Sequence, residues 1–166
     1  IDIIYSIARG KMMLILQKGF NYSQDGPGNR LVYHLQGCNF RCKWCSNPES
    51  MEKVSSQAKN YTVDELADEV SRSRMMFFDG GGVTFTGGEC TLQYAELTEL
   101  LRRLRENGIH TAIETNASSS HFKEIAEYVD YLIADFKHYD TGISFLIWCF
   151  SFNGIFQHCL DVIVIV

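Results

Sequence analysis

The sequence contains no clean run of about 20 apolar residues, the length a helix needs to cross a bilayer. Its most apolar stretch, from Ile143 to Val166, is broken by Asn153, Gln157, His158 and Asp161. The opening segment does not read as a secretory leader: Met12–Leu16 is too short for its apolar region, and no small-residue cleavage site follows. Neither G-x-G-x-x-G nor a P-loop occurs, so the glycines do not read as a nucleotide cradle. No basic excess exists either; the net charge of −5 argues against nonspecific nucleic-acid or anionic-membrane binding. A disulfide framework is absent as well. The cysteines stand at 38, 42, 45, 90, 149 and 159, half of them in one knot, in a chain too large to need staples. The reading is a protein of the reducing cytoplasm, with no nucleic-acid or membrane partner.

What is present fits one soluble domain: 166 residues, 46% apolar and 21% charged. Three segments are expected. Residues 1–16 read as an irregular N-terminal segment, of which 1–11 has the look of upstream read-through or a cloning remnant. Residues 17–140 read as the domain. Residues 141–166 read as a divergent apolar tail, where the chain is truncated or its frame broken. The run Val162–Val166 would be an aggregation hazard if exposed.

Within the domain, β-formers and helical periodicity alternate. Leu31–Leu35 reads as a strand. Thr62 and Glu65 form a capping box ahead of Val63, Leu66, Ala67 and Val70, which share a helical face. Val83–Phe85 is the next strand, followed by a helix with Leu97, Leu100, Leu101 and Leu104 inside and a stop at Asn107-Gly108. Thr111–Ile113 and Tyr131–Ala134 are further strands, separated by a helix capped by serines 118–120 that buries Phe122, Ile125, Ala126 and Val129. Four strand–helix units predict an α/β fold, a partial (β/α) barrel of parallel strands. The polar clusters Gly87-Gly88-Glu89, Glu114-Thr115-Asn116 and Asp135-Phe136-Lys137-His138 all follow strands, and carboxyl ends of strands are where such folds build sites.

The chain is organised around Cys38-Asn-Phe-Arg-Cys42-Lys-Trp-Cys45. Three thiols at C-x3-C-x2-C supply three ligands where a closed site wants four. An open metal position is where chemistry is done. The alternatives are a zinc knuckle closed by His34 or His138, and three buried thiols without a metal.

This spacing, with Trp44 before the last thiol, resembles the signature of the radical S-adenosylmethionine superfamily. Asp25-Gly-Pro-Gly28, Ser46-Asn47-Pro48-Glu49-Ser50, Gly80–Glu89 and Asp135–His138, in that order, are similar to motifs of the activating enzymes of glycyl radical enzymes. The resemblance runs from about Gln17 to Asp140. It implies one [4Fe–4S] cluster on Cys38, Cys42 and Cys45, with S-adenosylmethionine chelated to the free iron and cleaved reductively to a 5′-deoxyadenosyl radical. That radical takes hydrogen from a glycine of a partner glycyl radical enzyme. The electron comes from a flavodoxin- or ferredoxin-type donor. By the same resemblance Trp44, Gly87, Gly88, Glu89 and Lys137 contact S-adenosylmethionine, the Glu89 carboxylate pairing with its ammonium group. Glu114, Thr115 and Asp135 hold a monovalent cation, Glu114 standing where relatives commonly have aspartate. Asp25 meets the partner's glycine loop. Met51–Asn60 holds no cysteine for further clusters, and roughly two βα units of the family's partial barrel are replaced by the apolar tail. Other readings that remain are an activase of anaerobic ribonucleotide reductase and a noncatalytic metal-binding module or inactive fragment.

Overall fold

The structure, a computed structural model, describes residues 12–135 and the strand at 161–165. Strands β1 (Met12–Tyr22), β2 (Asn29–Leu35), β3 (Lys59–Thr62), β4 (Gly82–Gly87), β5 (Thr111–Thr115), β6 (Tyr131–Asp135) and β7 (Asp161–Ile165) form one sheet in the order β3-β1-β2-β4-β5-β6-β7. From β2 to β7 every neighbouring pair is parallel. β1 runs antiparallel to both β2 and β3.

Helices α1 (Val63–Arg72), α2 (Tyr94–Glu106) and α3 (Phe122–Ala126) bury one face of this sheet. Strand side chains alternate between faces. Leu31, Tyr33 and Leu35 of β2, Val83 and Phe85 of β4, Ile113 of β5 and Leu132 of β6 pack into one core with Leu66, Val70, Leu97, Leu100, Leu101 and Leu104 of the helices. Each such side chain contributes roughly 1.5–3 kcal/mol of burial.

The alternate positions, among them Arg30, Val32, His34, Thr84, Thr86, Ala112, Glu114, Ile133 and Asp135, lie on the other face. That face is covered too: Arg30, Thr84 and Ala112 are wholly buried. The Arg30 guanidinium donates to Thr84 Oγ1 at 2.7 Å, Val83 O at 2.7 Å and Pro27 O at 3.1 Å. Burial lowers its pKa to about 10, so it remains a cation at neutral pH. Thr84 Oγ1 donates in turn to Asp25 O at 2.7 Å. The turn before β2 is thereby drawn across the sheet, which brings Asp25 towards the far ends of the strands.

The four expected parallel strands and the three expected helices are present, the third burying Phe122, Ile125 and Ala126. Other expectations need correcting. β1 starts at Met12, so 12–16 belong to the sheet and not to an irregular segment. The polar stretch ahead of Asn60 ends in strand β3, paired with Met12–Ile15. The serines do not stand at the cap of α3, which is His121 without a side-chain bond: the Ser118 hydroxyl is bound to Asn116 Oδ1 at 2.6 Å, and Ser119, just before the cap, accepts from His121 N–H at 3.2 Å. Part of the tail, Asp161–Ile165, is a fifth parallel strand against β6. Lys137, His138, Cys149 and Cys159 lie outside the described residues. No helix among the described residues is long and apolar enough to cross a membrane.

Candidate active site at the strand tips

Gly37, at φ +100, turns the chain out of β2 into the thiol loop. The loop closes on its own base: Gly37 N–H donates to Ser50 O at 2.8 Å and Cys38 N–H to Met51 O at 3.2 Å. Gln36 Nε2 adds bonds to Glu49 O at 3.0 Å and Glu52 O at 2.6 Å. Residues 38–51 are thus presented as one pinned loop above β2. Cys38, Cys42 and Cys45 are half-buried free thiols. Burial raises the Cys38 pKa, against a partly compensating N–H from Phe40 at 3.3 Å from its sulfur.

The tip of β4 is pressed against this base. Gly88 N–H donates to Leu35 O at 2.9 Å and Glu89 N–H to Gly37 O at 2.8 Å. A Cβ on Gly88 would lie 2.1 Å from Gly37 O, a backbone clash no rotamer relieves, so glycine is obligatory for this approach. Glu89 is 1% exposed. Its carboxylate accepts from Thr91 N–H at 3.1 Å, Thr115 Oγ1 at 2.6 Å and Asn116 N–H at 2.8 Å. Burial raises its pKa in spite of these bonds. The carboxylate expected to pair with a cofactor's ammonium group is therefore committed to protein donors, and this tip meets the cavity largely as backbone.

A cavity of about 330 Å³ opens between the thiol loop and the tips of β4, β5 and β6. Asp25, Cys38, Cys42, Trp44, Cys45, Gly87, Gly88, Glu89, Glu114, Thr115 and Asp135 all line it. Of the residues singled out from sequence for this site, Lys137 and His138 lie outside the described residues. Trp44 stands on the rim, 70% exposed. Glu114 accepts from Thr86 Oγ1 at 2.7 Å, while the Thr115 hydroxyl is turned to Glu89. Cys90 is buried with its sulfur 3.4 Å from Glu114 O.

Sequence reasoning missed Thr86 as a wall residue and named Asn116 in the cluster after β5 without giving it a role. Strand alternation places Thr86 two residues beyond Thr84 on the same face, and the period of two carries that signal in the sequence itself. His34 also lines the cavity. Its Nδ1 is buried without a hydrogen-bond partner, and burial lowers its pKa. Among the described residues no three His, Cys, Asp or Glu side chains, His34 and the three thiols included, gather closely enough to hold a single metal ion; a cluster takes each cysteine on a separate iron, so that limit bears on a knuckle closed by His34 and not on a cluster.

A model of the "Radical SAM superfamily" matches residues 32–146, from β2 past β6. The chain belongs to the radical SAM superfamily. It is similar to the pyruvate formate-lyase-activating enzymes of Staphylococcus aureus strains USA300 and NCTC 8325 / PS 47, at 39% identity over 126 residues. The match covers 70% of this chain and 50% of each relative. The chain thus spans about half the length of the curated relatives it matches. Among solved structures, QueE from Escherichia coli shares the fold, with a TM-score of 0.63 at 15% identity over 98% of this chain and 88% of that one.

Radical SAM membership implies a [4Fe–4S] cluster and S-adenosylmethionine as cofactors. The residues present fit both groups. Three soft sulfur donors stand on one loop, and as thiolates they are the ligand type such clusters take. They face a cavity within the size range of small-molecule sites. Opposite them, two glycines without side chains and two half-buried carboxylates, Glu114 and Asp135, offer the polar contacts a zwitterionic cofactor needs.

Proposed function

We propose that this chain carries the cofactor-binding half of a glycyl-radical-enzyme activating enzyme. The observation that supports the reading most is the convergence of the three thiols, the Gly87-Gly88 tip and Asp25 on one cavity, although they come from three separate stretches of sequence. When bound, the cluster supplies the single electron that splits the sulfonium C–S bond of S-adenosylmethionine into methionine and a 5′-deoxyadenosyl radical. The overall reaction moves one hydrogen atom from a glycine of the partner enzyme to that radical, leaving 5′-deoxyadenosine and a glycyl radical. The electron is drawn from a flavodoxin- or ferredoxin-type protein.

The chain's own residues have defined roles in this reading. Cys38, Cys42 and Cys45 hold the cluster and leave one iron open. The backbone at Gly87-Gly88 approaches the methionine end of S-adenosylmethionine, and Trp44 flanks its adenine from the rim. Glu114, Thr115 and Asp135 hold a monovalent cation beside the cofactor carboxylate, oxygen ligands being suited to such an ion. Lys137 supplies a further cofactor contact. Asp25, held by Thr84 and Asn21 in the cavity lining, meets the glycine loop of the partner. Burying the reacting carbon between the sheet and the thiol loop keeps other C–H bonds away from it.

The test is anaerobic reconstitution with iron and sulfide. The reading predicts broad charge-transfer absorption with about four iron per chain, its loss in Cys42→Ser, and 5′-deoxyadenosine on adding S-adenosylmethionine and a reductant. Zinc uptake without colour would identify a metal-binding module. Colour without cofactor cleavage would identify an inactive fragment.

A further inference from the structure

The thiol loop is held at a second place, distant from its base. Asn39, which follows the first thiol, donates from Nδ2 to Ser118 Oγ at 2.7 Å. Its Oδ1 accepts from Asn116 Nδ2 at 3.1 Å. These contacts span 77 and 79 residues of sequence and join the thiol loop to the loop after β5. The Asn116 end is itself anchored: Oδ1 accepts from Ser118 N–H at 3.0 Å and Ser118 Oγ at 2.6 Å, and its N–H is bound by the buried Glu89 carboxylate. A continuous chain of hydrogen bonds therefore runs from the β4 tip through Glu89, Thr115 and Asn116 to Asn39.

We infer that Asn39, with Asn116 and Ser118, is a positioning clamp that sets the thiol loop at a fixed distance from the strand tips across the cavity. The inference rests on the proposed function, in which the thiols hold one end of the S-adenosylmethionine site and the tips of β4 and β5 hold the other. A ligand bridging two walls gains its full affinity only when both are in register, and a loose wall must be ordered at the cost of binding energy. None of the three clamp residues is a cluster ligand. Their loss leaves the thiols free to take iron while the cofactor's two half-sites drift apart. Glu89 thereby acquires a structural role, since its carboxylate orients Asn116, which orients Asn39.

The experiment compares the wild-type chain with Asn39→Ala, Asn116→Ala, Ser118→Ala and the double variant Asn39→Ala/Asn116→Ala. Two readouts are used. The first needs no cofactor: hydrogen exchange of the amides in residues 38–45 of the apoprotein, expected to quicken in Asn39→Ala while exchange in β2 and β4 stays unchanged. The second is S-adenosylmethionine binding to reconstituted protein. The dissociation constant is expected to rise about three- to tenfold, from loss of two partly exposed hydrogen bonds, with iron content unchanged. The double variant is expected to lose no more than Asn39→Ala alone, because the groups act as one unit. Unchanged exchange in the thiol loop, or full additivity of the two losses, overturns the clamp. Ser118→Ala removes one bond of the clamp and leaves Asn116 in place, so it decides the matter should the double variant fail to fold. If wild-type protein takes up neither cluster nor S-adenosylmethionine, the proposed function fails instead, and the exchange measurement still judges the clamp.

Discussion

Ala117 occupies the left-handed region, φ +56, although it carries a Cβ, and it is 3% exposed. That conformation costs roughly 1–2 kcal/mol for an L-residue. It persists because its neighbours over-determine the backbone: Glu89 holds Thr115 and Asn116, and Ala117 N–H donates to Thr115 Oγ1 at 3.0 Å. Ala117→Gly relieves the steric cost and gives back part of the gain as unfolded-state entropy, about 0.4–1 kcal/mol. Ala117 is also a buried core methyl, whose deletion costs about 0.8 kcal/mol, so the terms nearly cancel and a net change within about 0.8 kcal/mol of zero is expected. Urea unfolding of the apoprotein measures it, and a loss of more than about 1 kcal/mol with unchanged slope, the sum of the two opposing costs, would show that the left-handed turn is not strained. At this scale the thiol spacing and the place of the glycine pair at the end of a strand are legible in the sequence. The inward role of Glu89 is not. Nothing in Gly-Gly-Glu-Cys tells an outward carboxylate from one turned inward, and Thr115 and Asn116, which bind it, are 26 and 27 residues further along.

Helix α1 shows why some elements are readable and others hidden. Its start is written locally: Thr62 Oγ1 accepts from Glu65 N–H at 3.1 Å, and Glu65 Oε2 accepts from Thr62 N–H at 2.7 Å, both sides of a capping box. Val63, Leu66 and Val70 are buried as their spacing requires. Thr62→Ala removes the cap and leaves the Glu65 amide without its partner. A loss of about 1 kcal/mol is expected, read as a lower urea midpoint, with cluster uptake unaffected because α1 lies on the face away from the cavity. A loss below about 0.3 kcal/mol, the scale of an uncapped surface change, would mean water caps this end equally well. β3 lacks any such local signal. Lys59 and Asn60 are exposed, and the strand exists only because Met12–Ile15 lies beside it. β1 is obscured by its own irregularity. Met13 and Ile15 alternate inward, but the register shifts between Ile15 and Gln17, and residues 17–20 are exposed. Serines 118–120 mislead in the opposite sense: their type suits a cap, yet Ser118 serves the loop that holds Asn39.

At the scale of the molecule, the parallel order β2-β4-β5-β6 follows from strand–helix alternation and the right-handed crossover rule, and that is sufficient to predict where the cavity lies. The strand β7 is hidden because its apolar run continues the apolar stretch before it. Taken alone, Asp-Val-Ile-Val-Ile is what a buried parallel strand looks like. Its register against β6, Leu132 with Val162 and Ile133 with Ile163, gives this assignment a backbone test. Successive residues of a strand turn their N–H groups to opposite edges, and β7 ends the described sheet, so only one of Val162 and Ile163 donates towards β6. Proline removes that donor. Val162→Pro and Ile163→Pro should therefore differ: one deletes a ladder bond worth about 1 kcal/mol or more, and the other leaves it. The damaging variant is also expected to quicken hydrogen exchange at the neighbouring β6 amides and to aggregate at lower concentration, since a bared β6 edge can pair with another molecule. If the two prolines behave alike and β6 exchange stays at its wild-type rate in both, β7 does not pair with β6, and the sheet of this chain ends one strand earlier.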